Sequence, residues 1–230
     1  MVEQFVPKVE VVRERFAEVG ARVARAASAA GRDPAAVRVL VATKYVAAEN
    51  LGVLRDAGVR LIGENRAQDL VTKQALYGDA FEYHFIGQLQ SRKTRLVVPL
   101  VSLIHSVGSM SVVQEIEARA TKETAVLLEV NIAGEDSKSG IAPGQVDVFL
   151  EEAAAMHKVR FAGLMCMPPL FEDPEEARPF FARTRQLAER LSTTWRGTYT
   201  FEQLSMGTSA DYEIAAEEGA TIVRVGSVLF

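Results

Sequence analysis

Of the chain's 230 residues, 48% are hydrophobic and 24% charged, a balance that supports a large buried core and excludes a disordered or fibrous chain. A formal net charge of −4 argues against a general nucleic-acid surface, which needs a basic footprint, and leaves small molecules or proteins as the expected partners. Cys166 is the only cysteine, so no internal disulfide and no zinc site of clustered cysteines can be written.

The N-terminus mixes acidic and polar residues with apolar ones, and nothing approaches 18 uninterrupted apolar residues. Neither a signal peptide nor a membrane span is expected, and a reducing, cytoplasmic setting fits. Residues 8–30 place Val9, Val12, Phe16, Val19 and Val23 at helical spacing, and Gly31 ends that helix. One pattern then recurs: a short apolar run rich in β-branched residues, a polar residue or two, and an amphipathic helical stretch. Strands are expected at 37–43, 59–63, 82–87, 102–106, 125–131, 159–165, 201–205 and 221–226. Helical stretches such as ENLGVLRDAG, MSVVQEIEARAT, GQVDVFLEEAAAM, PEEARPFFARTRQLAERL and SADYEIAAEEG fall between them. Eight strands alternating with helices predict an α/β fold, a single (β/α)8 barrel of the TIM type. The whole chain, 1–230, reads as one domain, with the N-terminal helix covering the side that a last helix would otherwise cover.

Right-handed βα units bring every strand's C-terminal end to one face, where sites form. The residues read there are Lys44, Glu64-Asn65, Gly87-Gln88, His105-Ser106, Asn131, Met165 to Met167, Ser205-Met206-Gly207 and Arg224 to Ser227. Lys44 ends an apolar run. It either snorkels to solvent or, desolvated, serves as a Schiff-base amine. Gly226-Ser227 suits a phosphate-binding turn, and Ser205 to Ser209 forms a second small, hydroxyl-bearing loop with Ser209 placed to cap a helix. A helix cap and a tight turn would explain the same residues. Arg224 lies two residues from Ile222, on the same strand face, so it points into the barrel and needs an acceptor such as a cofactor's ring nitrogen or an internal carboxylate.

His84 on its strand suits a satisfied core residue better than a base, and His105 and His157 say less. With three histidines and no close His/Cys/carboxylate spacing, no metal is assigned. The apolar flank GLMCMPP raises the thiol pKa of Cys166, so no nucleophilic role is given to it. The acidic clusters GEDSKSG, EDPEE and AAEEG read as solvated loops or helix N-termini.

The segments VLVATKYV, LIGENRAQDL, YHFIGQLQSRK, IHSV, VNIAGEDSKSG, GLMCM and, above all, LSMGTSADYEIAAEEGATIVRVGS resemble the pyridoxal phosphate homeostasis proteins, over nearly the whole chain from about residue 38. The resemblance implies a barrel like the N-terminal domain of alanine racemase. It further implies that Lys44 holds pyridoxal 5′-phosphate covalently and that Arg224 faces the pyridine nitrogen. Ser205, Gly207, Gly226 and Ser227 are then expected around the phosphate, with Asn65, His84 and Met206 around the ring. On this view Lys44 ends its strand because the barrel desolvates the amine. Tyr45-Val46, Tyr83 before His84, and Thr208 after Gly207 depart from the family's usual residues.

Two functions compete: a protein that holds, buffers and delivers the cofactor to apo-enzymes, and a pyridoxal-phosphate-dependent amino-acid racemase. Racemisation needs two positioned acid/base groups. Alanine racemases, which share the arginine at the ring nitrogen, take their second base from an interface made with a β-rich domain. No sequence follows this barrel to supply one, and neither Tyr45 nor Tyr212 is an evident substitute. The carrier is therefore favoured and a monomer expected.

Overall fold

The structure, a computed structural model, describes residues 8–135 and 139–230. Part of the acidic GEDSKSG segment, residues 136–138 with Lys138, lies outside the described residues. Eight parallel strands, β1 (Arg38–Ala42), β2 (Leu61–Glu64), β3 (Glu82–Phe85), β4 (Leu103–Val107), β5 (Thr124–Glu129), β6 (Val159–Met165), β7 (Gln203–Ser205) and β8 (Ile222–Val225), pair in sequence order. The circle closes where β8 pairs with β1, Leu40 opposite Arg224. All eight expected strands are present. The seventh is shorter than its apolar run because Phe201 takes φ 51°, outside the extended conformation a ladder requires.

The helices are α1 (Val9–Ala29), α2 (Gly52–Asp56), α3 (Ala67–Tyr77), α4 (Thr94–Val97), α5 (Met110–Arg119), α6 (Val146–Ala153), α7 (Arg178–Thr194) and α8 (Tyr212–Glu217). Strand alternation divides the apolar side chains into two cores. Leu40, Leu61, Ile86, Leu103, Leu127, Ala162, Met165 and Ile222 fill the barrel. Their strand neighbours, such as Val41, Ile62, Ile104, Val126, Leu128 and Val223, pack outward beneath the helices. The extra helix does what its apolar stripe predicts: α1 buries Val12, Val19, Val23, Ala26 and Ala27 and lies against α2 and α8. Gly31, at φ +73°, turns the chain out of α1. Arg32 then donates to the carbonyls of Ala216 and Ala220, tying that turn to the C-terminal end of α8.

Between β1 and β2 the barrel buries an ion pair. Lys73 of α3 bonds Glu64, which ends β2, and both side chains are almost wholly enclosed. The ammonium also donates to the Thr43 carbonyl at 2.8 Å, while Glu64 accepts from the Thr43 hydroxyl and, at 3.2 Å, from the Asn65 amide. One pair thus clamps the two strand ends that carry Lys44 and Asn65. Removing only the cation leaves a buried carboxylate uncompensated. Lys73→Met is therefore expected to cost about 3–5 kcal/mol in urea unfolding, and adding Glu64→Gln to recover a good part of it. A loss below about 1 kcal/mol, the range of an exposed pair, would contradict the clamp.

Candidate functional site

The C-terminal face of the barrel opens into a cavity of about 690 Å³. Five of the sequence-predicted residues stand on its wall: Lys44, Asn65, Arg224, Gly226 and Ser227. Beside them are Met167, Thr208 and Ser209, read from the sequence as part of this face, Tyr45, weighed there as a base, and Leu170, Ala210 and Phe230, which sequence reasoning did not select. Thr208 and Ser209 were legible as part of the hydroxyl-bearing loop. Beyond Met167, the apolar rim carried no sequence signal, because single apolar residues in loops are ordinary.

Lys44 corrects one expectation. β1 leaves its ladder at Ala42, and a turn closed by Val46 N–H donating to the Thr43 carbonyl (2.9 Å) carries Lys44 onto the rim, where it is exposed. Its Nζ lies 4.9 Å from the centroid of the Tyr45 ring, itself 88% exposed. The barrel does not desolvate this amine; the buried lysine of the region is Lys73.

Arg224 behaves as its strand parity predicts. Its side chain is 5% exposed; Nη1 donates to Ser205 Oγ at 2.5 Å and Nη2 to the Cys166 carbonyl at 3.0 Å. Burial lowers its pKa, and no carboxylate bonds it among the described residues. The same burial pushes the Cys166 thiol up to about 11, in keeping with an inert thiol.

Asn65 presents a buried Oδ1 with no hydrogen-bond partner. The loop after β3 crosses its backbone closely: a Cβ on Gly87 would lie 2.2 Å from the Asn65 carbonyl, and Ser106 donates its hydroxyl to the Gly87 carbonyl. Only glycine allows that approach.

Ser205, Met206 and Gly207 are buried behind the wall rather than on it. Ser205 still belongs to β7 and faces Arg224 and His105, and Gly207, at φ +87°, sits so close to α8 that a Cβ would come within 2.5 Å of Ala215 Cβ. The chain reaches the cavity only at Thr208 to Ala210. Ser209 does not cap α8. Its hydroxyl accepts from the Gly226 amide at 3.0 Å and so joins the two candidate anion loops, while Asp211 stands at the cap position and accepts from the Thr208 amide and hydroxyl.

His84, expected beside a ring, is 1% exposed and off the wall. Nε2 meets Glu82 Oε1 at 2.9 Å, and Nδ1 meets His105 Nε2 at 2.9 Å. His105 in turn reaches Ser205 Oγ through Nδ1 at 2.8 Å. The histidine that said least in the sequence is thus the link between His84 and the arginine's hydroxyl partner.

A rim lysine above a buried arginine on a closed parallel barrel defines a class, and residues 19–230 match the family described as alanine racemase, N-terminal domain. Curated relatives include the pyridoxal phosphate homeostasis proteins of Aquifex aeolicus, 38% identical with 94% of this chain and 96% of that one covered, and Pseudomonas aeruginosa, 37% identical with 96% of each covered. Among solved structures, PipY of Synechococcus elongatus PCC7942 with PLP bound superposes with a TM-score of 0.80 at 29% identity, over 95% of this chain and 99% of that one. The chain belongs to the pyridoxal phosphate homeostasis protein family.

Burial holds both internal histidines neutral: it lowers the pKa of His84 against the raising effect of Glu82, and that of His105 further, with His84 and Arg224 adding to the effect. Groups whose folded pKa lies below the unfolded value of 6.5 contribute stability that is complete above about pH 6.5 and lost as the pH falls toward their folded values. Urea unfolding should therefore show the protein weakening from pH 7 to pH 5, and His105→Phe should flatten that slope. A stability unchanged across the interval would contradict the neutral pair.

Proposed function

We propose that this protein binds pyridoxal 5′-phosphate in the mouth cavity through Lys44, and that it holds, buffers and delivers the cofactor to apo-enzymes without turning over amino acids. The observation that carries the reading is the common wall shared by an accessible lysine amine, a buried guanidinium and the unpartnered Asn65 Oδ1. The cofactor supplies an aldehyde that condenses with a primary amine, a pyridine ring and a phosphate dianion.

Each feature has a counterpart. The rim position of Lys44 lets its amine meet the aldehyde without entering the barrel. Arg224 can donate only, so it suits an unprotonated ring nitrogen and disfavours a proton there. Asn65 Oδ1 accepts from a polar ring substituent, satisfying an atom that is otherwise a buried cost. Ser227, Thr208, Ser209 and the Gly226 turn offer donors to the phosphate. Ser205, Met206, Gly207 and His84 support this wall from behind.

The carrier reading over the racemase rests on the second base. Among the described wall residues, the acid/base candidate besides Lys44 is Tyr45, whose ring already lies against the lysine's own ammonium rather than across the cavity. Tyr212 is buried on α8, off the wall, with Arg22 over its ring. Racemisation needs a proton delivered from the opposite face, and among the described wall residues no second group stands there to deliver it. Among the described residues no helix is long and apolar enough to cross a membrane. A monomer working in a reducing cytoplasm is part of this reading, and a single cysteine with no internal disulfide partner fits that setting.

Borohydride treatment of the loaded protein should fix the cofactor to the peptide containing Lys44, and Lys44→Ala should abolish the adduct while leaving the thermal transition within a few degrees of wild type. An undiminished adduct on another lysine would refute the assignment. Pyridoxal phosphate should be retained far better than pyridoxal; equal retention would remove the phosphate cup. Across a panel of L- and D-amino acids inversion should stay below roughly 1 s⁻¹, and sustained inversion above it would make the protein an enzyme. Transfer of the cofactor from the loaded protein to an apo-enzyme should remain measurable.

A further inference from the structure

We infer that Glu82, His84 and His105 are positioning residues for Arg224: they form a one-directional hydrogen-bond wire from the N-terminal face of the barrel that reserves Ser205 Oγ as acceptor for the guanidinium. The inference rests on the cofactor reading above insofar as it concerns ligand retention, and on this chain's own residues for the rest.

The direction of the wire follows from its ends. Arg224 has no acceptor atom, so Ser205 Oγ accepts from Nη1. Glu82, at the start of β3, has no proton to give. Its carboxylate accepts from Arg38 and from the Ser102 hydroxyl, and these bonds, after that from His84, hold it well below the ordinary carboxylate range. His84 Nε2 therefore carries the hydrogen directed at Glu82, and its Nδ1 is bare. His105 Nε2 must then donate to His84 Nδ1, leaving His105 Nδ1 to accept from the Ser205 hydroxyl. Every donor finds an acceptor in this one arrangement. His84, His105 and Ser205 are each no more than 1% exposed, so water does not compete.

The groups facing the wire are few. Arg38 and Ser102 meet it at Glu82, Arg224 meets it at Ser205, and Glu129, Asp211 and the Cys166 thiol act on Arg224 from β5, the segment before α8 and the residue after β6. Among the described residues the guanidinium has no carboxylate bonded to it, and Glu82 is the anion at the far end of its side-chain hydrogen-bond path.

Two changes reverse the wire in the same way. A proton added to His84 puts a hydrogen on its Nδ1. His105 must then switch its hydrogen to Nδ1 and donate to Ser205, which turns its hydroxyl hydrogen away and offers Oγ to two donors. Glu82→Gln permits the same reversal at neutral pH, because an amide can donate to His84 Nε2. In both cases His105 and Arg224 share Ser205 Oγ as acceptor, and the guanidinium loses the exclusive partner that fixes its place on the wall.

The test begins on the ligand-free protein. At pH 7.5, 15N NMR of the imidazoles should report hydrogen on Nε2 of both His84 and His105, and the Arg224 Nε resonance should be sharp. In Glu82→Gln, hydrogen should appear on Nδ1 of His105 and the Arg224 resonance should move. Arg38→Met, which keeps the carboxylate, should leave both unchanged. Acidifying the wild type should reproduce the Glu82→Gln pattern with no substitution at all, so the inference survives a variant that fails to fold. With pyridoxal phosphate loaded, retention by Glu82→Gln should be at least threefold weaker at pH 7.5 and less pH-dependent than wild type. Hydrogen on Nδ1 of His105 in the wild type, or a folded Glu82→Gln with unchanged tautomers and retention, would overturn the wire. If the wild type bound no cofactor, the reading above would fail while the tautomers and the Arg224 resonance still decided the wire.

Discussion

A guanidinium enclosed in an apolar barrel must find acceptors inside it, and much of the site can be understood from how Arg224 does so. Hydrogen bonds to a charged group are worth about 1.5–3 kcal/mol each, and a buried cation without them would not persist. Its two acceptors, Ser205 Oγ and the Cys166 carbonyl, come from β7 and from the residue after β6. These bonds require Ser205 to face inward, which keeps it behind the cavity wall. The chain therefore emerges only beyond Gly207, whose positive φ and close contact with α8 make the turn possible. The loop that meets the cavity begins at Thr208 for that reason.

A second constraint acts on the opposite wall. The Lys73–Glu64 pair holds the ends of β1 and β2 together from below, so that Lys44 projects onto the rim and Asn65 points inward. The two lysines divide the labour that one was expected to do. Lys73 is the buried, paired ammonium; Lys44 is the accessible amine. An exposed amine facing a buried cation would suit the carrier we propose: Lys44 would hold the cofactor at the solvent edge, and Arg224 would orient its ring.

Much of this was legible in the sequence. The eight β-branched runs and their helical spacers define a closed parallel barrel, and the parity of Ile222 and Arg224 places the arginine inside. Two kinds of fact were not legible. The first is how far past a strand end the chain turns: one hydrogen bond between Val46 and Thr43 decides that Lys44 is exposed, and a hydroxyl bonded to a neighbouring loop, not to its own helix, decides the role of Ser209. The second is contact between distant strands. His105 and Ser205 are 100 residues apart, and no local pattern links them.

We propose that one cavity seats pyridoxal 5′-phosphate between the rim lysine and the buried arginine. A crystal structure of the protein grown with the cofactor tests this most directly. Continuous density is expected from Lys44 Nζ into the ligand, with the ring nitrogen within hydrogen-bond distance of Arg224 and the phosphate among Ser209, Gly226 and Ser227. Density joined to another lysine, or a ring turned so that its nitrogen faces away from Arg224, would contradict it.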